Sequence, residues 1–269
     1  MRLVCLHSQE EIETFLRRDT FLNLYAIGDL DNFFWRYTTW YALKNQDQVT
    51  VLALIYSGTD LPVLLGHARQ PGGGMDELLQ SLVPLLPERF YAHLRVGGAA
   101  ALKSAYQSQS HGVHYKMALT DPTCLNQVEP FAVVPLTTSD LDAILELYRV
   151  SYPGNWFDPR MLETGCYFGL RRKAQLVSVA GVHVFSPRYR VAALGNITTH
   201  PDMRGQGLGQ AVTTSLCRHL LNSVDQIGLN VRADNASAIA CYKKLGFEQF
   251  AEYEEFMLEA KRGPFDRPL

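Results

Sequence analysis

Cysteine is scarce and scattered in this 269-residue sequence: Cys5, Cys124, Cys166, Cys217 and Cys241 are odd in number, far apart and without a C-x-x-C pair. A disulfide framework and a zinc finger are thereby excluded, and no metal is expected. Long apolar runs are missing too; none approaches the roughly 18–20 residues needed to cross a bilayer. Strong charge of either sign is absent, because 25 Lys and Arg against 27 Asp and Glu leave a net charge of −2. Both halves are balanced and neither carries a basic stripe, so no nucleic-acid module is expected. Glycine and proline are not in excess, which rules out a collagenous or low-complexity chain. The opening residues, MRLVCLHSQEEIE, turn acidic after six positions. That pattern is unlike a secretory leader, and a cytoplasmic chain with free thiols is expected.

What is present is a hydrophobic fraction of 47%, enough at this length to bury a sizeable core in one large domain or two small ones. SQEEIETFLRR opens with a Ser cap and puts Ile12, Phe15 and Leu16 on one helical face. FLNLYAIGDL reads as a second short helix. WRYTTWYAL, VTVLALIYS and LPVLLGHAR read as a three-stranded meander. A turn over Pro71–Gly74 precedes the helix DELLQSLVPLL, then strand FYAHLRV, helix GGAAALKSAY and strand HYKMALT. The stretch DPTCLNQVEP lacks periodicity and marks a boundary, giving domains 1–125 and 126–269. The second half restarts with strand FAVVPLT and the capped helix TSDLDAILELYRVSY. The loop YPGNWF and a short helix at DPRMLE follow, then three strands (CYFGLRR, AQLVSVAGVHVFS, RVAALGNITTH). Helix QGLGQAVTTSLCRHLLNS, strand QIGLNVRA, helix NASAIACYKKLG and strand FEQFAEYEEFML complete it. Both halves run in similar order, so an internal duplication is a hypothesis resting on element order alone.

The stretch that carries chemistry is GNITTHPDMRGQGLGQ, Gly195 to Gln210. A strand ends near Thr199, and a helix begins within Arg204-Gly205-Gln206-Gly207-Leu208-Gly209. A helix N-terminus offers about four backbone N–H groups without intrahelical partners, and its dipole favours an anion. Glycines let a phosphate approach that backbone, and Arg204 can add a charge-assisted contact. This is a candidate pyrophosphate cradle. It is not a Walker A loop, because Gly209 is followed by Gln210-Ala211 rather than Lys and Ser or Thr. It is not a Rossmann fingerprint either: counted from Gly205 the third glycine position is Gln210, and counted from Gly207 it is Val212.

The spacing R-x-x-G-x-G closely resembles the acetyl-CoA signature of the GNAT superfamily of N-acetyltransferases. The strand IGLNVRA, then Asn235 opening a helix that ends Tyr242-Lys243-Lys244-Leu245-Gly246-Phe247, is similar to the rest of that pattern. The resemblance covers about the last 130 residues. It implies an α/β (α+β) fold with mixed, mostly antiparallel sheets flanked by helices, splayed between its fourth and fifth strands with CoA in the cleft. FLNLYAIGDLD resembles a segment of bacterial two-domain GNAT proteins whose N-terminal half is a degenerate copy, which implies a tandem fold. Where that copy should carry its cradle, HARQPGGGMDE has glycines but not the required spacing, which implies no productive CoA binding there.

By resemblance, Arg204 to Gly209 (with Gln206 and Leu208) hold the pyrophosphate, backbone N–H groups near Ile197 and Thr199 hold the pantetheine and polarise the acyl carbonyl, and Asn235 contacts the pantetheine arm. Tyr242 would protonate the departing thiolate. Each has a plainer reading. The glycines can be only a tight turn, Asn235 only a helix cap, and Tyr242 only a core residue. Relatives often carry a Glu base on the strand before the cradle, and RVAALGNITTH has no carboxylate. His183, His200, Asp158, Glu163, Glu248 and Glu252 remain as bases without a spacing that selects one. The plainer reading is a packed or surface strand residue for His183 and a solvated loop residue for His200. Trp156, Phe157, Tyr167 and Phe168 divide between core and acceptor pocket, while Cys166 and Cys241 read as buried small hydrophobes. The expected function is transfer of an acetyl group from acetyl-CoA to an amine of a small molecule or peptide. The rival is a CoA-binding regulatory module without turnover. No motif names the acceptor or the oligomeric state.

Overall fold

The structure is a computed structural model that describes residues 1–69, 74–129 and 131–261. The turn expected at Pro71–Gly74 lies outside them except for Gly74. Two compact units divide the chain. The first holds residues 1–115, 232–234 and 251 onward, and the second holds 116–231 and 235–250.

In the first unit, β1 (Arg2–Leu6) is followed by α1 (Gln9–Leu16), α2 (Leu24–Gly28) and α3 (Asn32–Trp35). The Ser8 hydroxyl accepts the Glu11 N–H at 3.2 Å and so caps α1, which buries Ile12 and Leu16 one turn apart. α3 is an addition to the sequence expectation; Asp31 caps it by accepting the Phe33 N–H. The meander β2 (Thr38–Asn45), β3 (Gln48–Tyr56) and β4 (Val63–Gly66) is antiparallel throughout. α4 (Met75–Leu82) buries Met75, Leu78, Leu79 and Leu82, the i, i+3, i+4, i+7 stripe of a core-facing helix. It leads to β5 (Arg89–Leu94), which pairs parallel to β4. GGAAALKSAY is not an α-helix but a 3-10 turn over Gly98–Leu102, followed by β6 (Tyr106–Leu119). Two consecutive glycines disfavour propagation, and Ala99 and Leu102, three apart, bury together in the tighter spiral.

In the second unit, β7 (Val133–Pro135) precedes α5 (Leu141–Ser151), β8 (Phe168–Arg172), β9 (Gln175–Ser186) and β10 (Val191–Thr199). Thr137 and Asp140 form a reciprocal capping box at the entry to α5. α6 (Leu208–Leu220), β11 (Gln226–Arg232), α7 (Ala236–Lys244) and β12 (Phe247–Ala260) complete the chain. The strand order is β11-β10-β9-β8-β7, antiparallel except for the parallel pair β10–β11. β12 gives its first four residues to this unit; its remainder belongs to the first unit, where Glu254–Glu259 pair with β5. Each unit thus has an antiparallel meander, one helix and one parallel strand in the same succession. The α/β fold is two halves of similar element succession in tandem, with mostly antiparallel strands and flanking helices.

The Gly246 that closes α7 has φ +88°, and a Cβ there would sit 2.0 Å from the Asp121 carbonyl oxygen. Its own carbonyl accepts the N–H groups of Thr120 and Asp121 at 3.0 and 3.2 Å. Gly246→Ala combines left-handed backbone strain with an overlap against backbone that has no rotamer to yield. Together these should cost roughly 2–5 kcal/mol, read as a lowered midpoint in urea denaturation; an unchanged midpoint would remove this glycine from the structural account.

Candidate active site

β10 and β11 pair from Val191–Gln226 to Leu194–Leu229 and no further. From Gly195 onward, β10 therefore has an open edge on the β11 side. The His200 N–H donates to Val177 O on β9 at 2.8 Å. Successive N–H groups along a regular strand alternate sides, so the Thr199 N–H, next to His200, faces the open edge; Ile197 lies within the irregular stretch between Gly195 and Thr198. β10 is also irregular here: Gly195 is opposite Gly181 and Thr198 is opposite Val179, which leaves one residue too many on β10. Asn196 takes φ +55° in this bulge and is buried. Its carbonyl accepts the Tyr148 hydroxyl at 2.9 Å, and its amide donates to the Tyr167 hydroxyl oxygen at 3.2 Å. The bulge is thus fixed from α5 and from the residue ahead of β8. Neither Asn196 nor Tyr148 stood out in the sequence, because a bulge depends on pairing and interrupts no hydrophobic pattern.

Past Thr199, a 3-10 turn over Pro201–Met203 is capped by His200, whose Nδ1 accepts the Asp202 N–H at 3.3 Å. That bond uses the imidazole in local structure. Arg204 bends back, donating to Thr199 O at 3.2 Å and Ser151 O at 3.3 Å. Gly205 and Gly207 both have φ +76°, a conformation side chains disfavour, and a Cβ at either would meet nothing within 4 Å. The space in front of them is open. A Cβ at Gly209 would lie 3.3 Å from Thr199 Oγ1. Gly207 caps α6 without a side-chain bond, and Ala211 is the first residue of the ladder, donating to Gly207 O at 3.0 Å. No acidic residue occupies the first turn of α6. The amides of Leu208, Gly209 and Gln210 therefore meet no carboxylate of their own helix, and the exposed Gln206 side chain lies against Met203. A glycine-lined helix N-terminus with open space before it fits a pyrophosphate.

Asn235 caps α7: its Oδ1 accepts the Ala238 N–H at 3.2 Å. Seven residues on, about two turns along the same face, Tyr242 is buried against Phe247, with ring centroids 6.0 Å apart. Burial pushes its hydroxyl pKa well up, with smaller contributions from Cys241, Tyr152 and Cys217. Tyr152 and Trp156 of the loop after α5 are exposed, while Phe157 packs on Tyr148 and Tyr167 with centroids 5.2 and 5.6 Å away.

The carboxylates considered as bases lie elsewhere in local structure. Asp158 caps the following turn and pairs with Arg160 at 2.5 Å, and Glu163, Glu248 and Glu252 are exposed. Cys166 is buried, which raises its pKa to about 11 and keeps it a thiol. Among the described residues, no group of three or more His, Cys, Asp or Glu is placed to hold a metal, and no helix is long and apolar enough to cross a membrane.

Residues 167–256 match the family model described as FR47-like protein. Mycothiol acetyltransferase of Saccharomonospora viridis is 35% identical over 116 residues, which are 40% of this chain and 35% of that protein. The match thus spans about a third of that relative's length. The [Ribosomal protein bS18]-alanine N-acetyltransferase of Escherichia coli K12 is 32% identical over 123 residues, which are 42% of this chain and 78% of that enzyme. Among solved structures, a tandem GNAT protein from the clavulanic acid biosynthesis pathway superposes with a TM-score of 0.58 at 16% identity, covering 97% of this chain and all of that one. The identity over most of a compact acetyltransferase, together with a tandem fold matched end to end, places the chain in the GNAT superfamily of N-acetyltransferases.

Proposed function

We propose that this protein transfers an acetyl group from acetyl-CoA to an amine, using the half spanning residues 126–269. The observation that carries the reading is the meeting of two features in one unit. One is an open strand edge beginning at Gly195; the other is a helix N-terminus lined by Gly205, Gly207 and Gly209. The α6 amides and Arg204 hold the pyrophosphate. Asn235 and the Ile197 and Thr199 N–H groups align the pantetheine and donate to the thioester carbonyl as its oxygen gains charge. Holding the remote nucleotide lets binding energy position the acyl group for attack by a neutral amine within a ternary complex. The acceptor is a small amine or a peptide. One similar protein is a mycothiol acetyltransferase and another acetylates an alanine of the ribosomal protein bS18, which spans that range without selecting within it.

The half spanning residues 1–125 is proposed to take no CoA. Its corresponding helix, α4, has Asp76 and Glu77 in its first turn. These acids complement the helix dipole where a phosphate would have to sit, and they are paired with Arg95 and with the Met1 amino group at 2.7 and 3.9 Å. Titration of the full chain with acetyl-CoA should therefore saturate at one molecule per chain; two would contradict this division. The rival reading, a CoA-responsive module without turnover, predicts the same stoichiometry but no amine-dependent release of CoA thiol.

A further inference from the structure

We propose that His183 is the catalytic base that takes the proton from the attacking amine, an assignment that rests on the function proposed above. His183 occupies a bulge of its own. On β9, Val184 is opposite Ala193 and Val182 is opposite Leu194, so His183 is the extra residue between two consecutive partners. Bulges of this kind re-aim a side chain. Here the ring is turned across the sheet onto Gly195: a Cβ on Gly195 would lie 2.0 Å from His183 Cδ2 and 2.3 Å from Nε2. Glycine at 195 is therefore the condition for the imidazole to lie where it does. Gly195 is also the first residue of β10 beyond its last pair with β11. Two irregularities, one in each strand, thus place a half-exposed imidazole at the point where the strand edge opens.

The composition of the surrounding elements singles out the same group. α5 and α6 pack on β9 and β10; the α5 acids Asp142 and Glu146 are exposed, and α6 has no acid and its His219 lies against Phe168. β8, β9, β10, β11 and α7 contain no Asp or Glu. Their ionisable side chains are otherwise Arg, Lys, Cys241 and Tyr242, and only an imidazole has a reference pKa near neutrality. The nearby phenols Tyr148 and Tyr167 are held protonated by burial and are engaged with Asn196. In the reaction, the amine nitrogen forms a bond to the thioester carbon as the carbon–sulfur bond breaks. The nitrogen's proton passes to His183 Nε2, and the sulfur takes the electron pair and then the Tyr242 hydroxyl proton. Solvent returns the imidazolium proton to the phenolate, so the products are the amide and free CoA thiol.

The test uses the full chain with 15N-labelled histidine. Acetyl-CoA should shift the His183 ring resonances, identified by their loss in His183→Gln. Adenosine 3′,5′-bisphosphate, which fills only the phosphate end, should leave them in place. His183→Gln should bind acetyl-CoA as the wild type does and lose about 10²–10⁴-fold in amine-dependent thiol release. His183→Ala should regain part of its turnover with added imidazole. Acetyl-CoA binding without movement of the His183 resonances overturns the assignment while leaving the proposed function standing. So does a His183→Gln variant within a few-fold of wild-type turnover. Absence of any acetyl-CoA binding overturns both.

Discussion

Tyr242→Phe is expected to lower amine-dependent turnover by about 10²–10⁴-fold with little change in CoA affinity. The substitution removes one hydroxyl and keeps the ring that packs on Phe247. Burial is the largest cause of the raised Tyr242 pKa, so the phenol stays protonated throughout the neutral range and holds a proton to give. In the proposed reaction, a thiolate expelled beside this buried hydroxyl would be costly as an anion, which would raise its demand for that proton. The hydroxyl matters only once sulfur begins to leave, so its loss should fall on kcat rather than on CoA binding. If the ring only packs against the pantetheine, the Phe variant will keep near-normal turnover. Steady-state kinetics with binding measured separately distinguishes the two.

Gly207→Val should abolish CoA binding. The protein itself leaves room for a Cβ at this position, so the added methyls project into the space before the α6 amides that a phosphate needs. The backbone at φ +76° also disfavours a β-branched residue, and the strain should cost about 1–3 kcal/mol of stability. Gly97→Val is the control. Gly97 has φ +71° and equally empty surroundings, but belongs to the first unit. It should lose comparable stability and keep CoA affinity. Calorimetry giving wild-type affinity in Gly207→Val would remove α6 as the phosphate site.

Local signals were legible in the sequence wherever the determinant is itself local. The Ser8 cap, a capped start for α5 and the helix α4 follow from residues a turn apart, and each forms, the α5 entry being capped by Thr137, one residue ahead of the expected helix. The glycine spacing at 205, 207 and 209 was likewise readable, since positive φ at 205 and 207 and a close approach at 209 are demands on single residues. Features that depend on partners were not. The alternation of AQLVSVAGVHVFS reads through position 183 without a break, and only the register against Ala193 and Leu194 exposes the bulge. β12 shows which of its faces is apolar, but not that Glu254–Glu259 pair with β5. The buried polar group on that strand was equally hidden. Glu255 accepts the hydroxyls of Tyr91 at 2.5 Å and Tyr253 at 2.7 Å and lies 3.5 Å from both His93 and His114. Those partners come from positions up to 164 residues away, beyond any periodicity. Burial raises the Glu255 pKa, but the two imidazoles and two hydroxyls outweigh it, so the carboxyl stays ionised below its ordinary range.

The most direct measurement is release of CoA thiol from acetyl-CoA by the purified chain, with amino acids, polyamines, aminoglycosides and peptides each offered as acceptor and the acceptor then weighed by mass spectrometry. The expected result is saturable, amine-dependent thiol release with one acetyl group gained by the acceptor, lost in Gly207→Val and strongly reduced in Tyr242→Phe. Tight binding of acetyl-CoA with no thiol released above the rate without protein, for any acceptor, would contradict acyl transfer and leave a CoA-responsive binding module in its place.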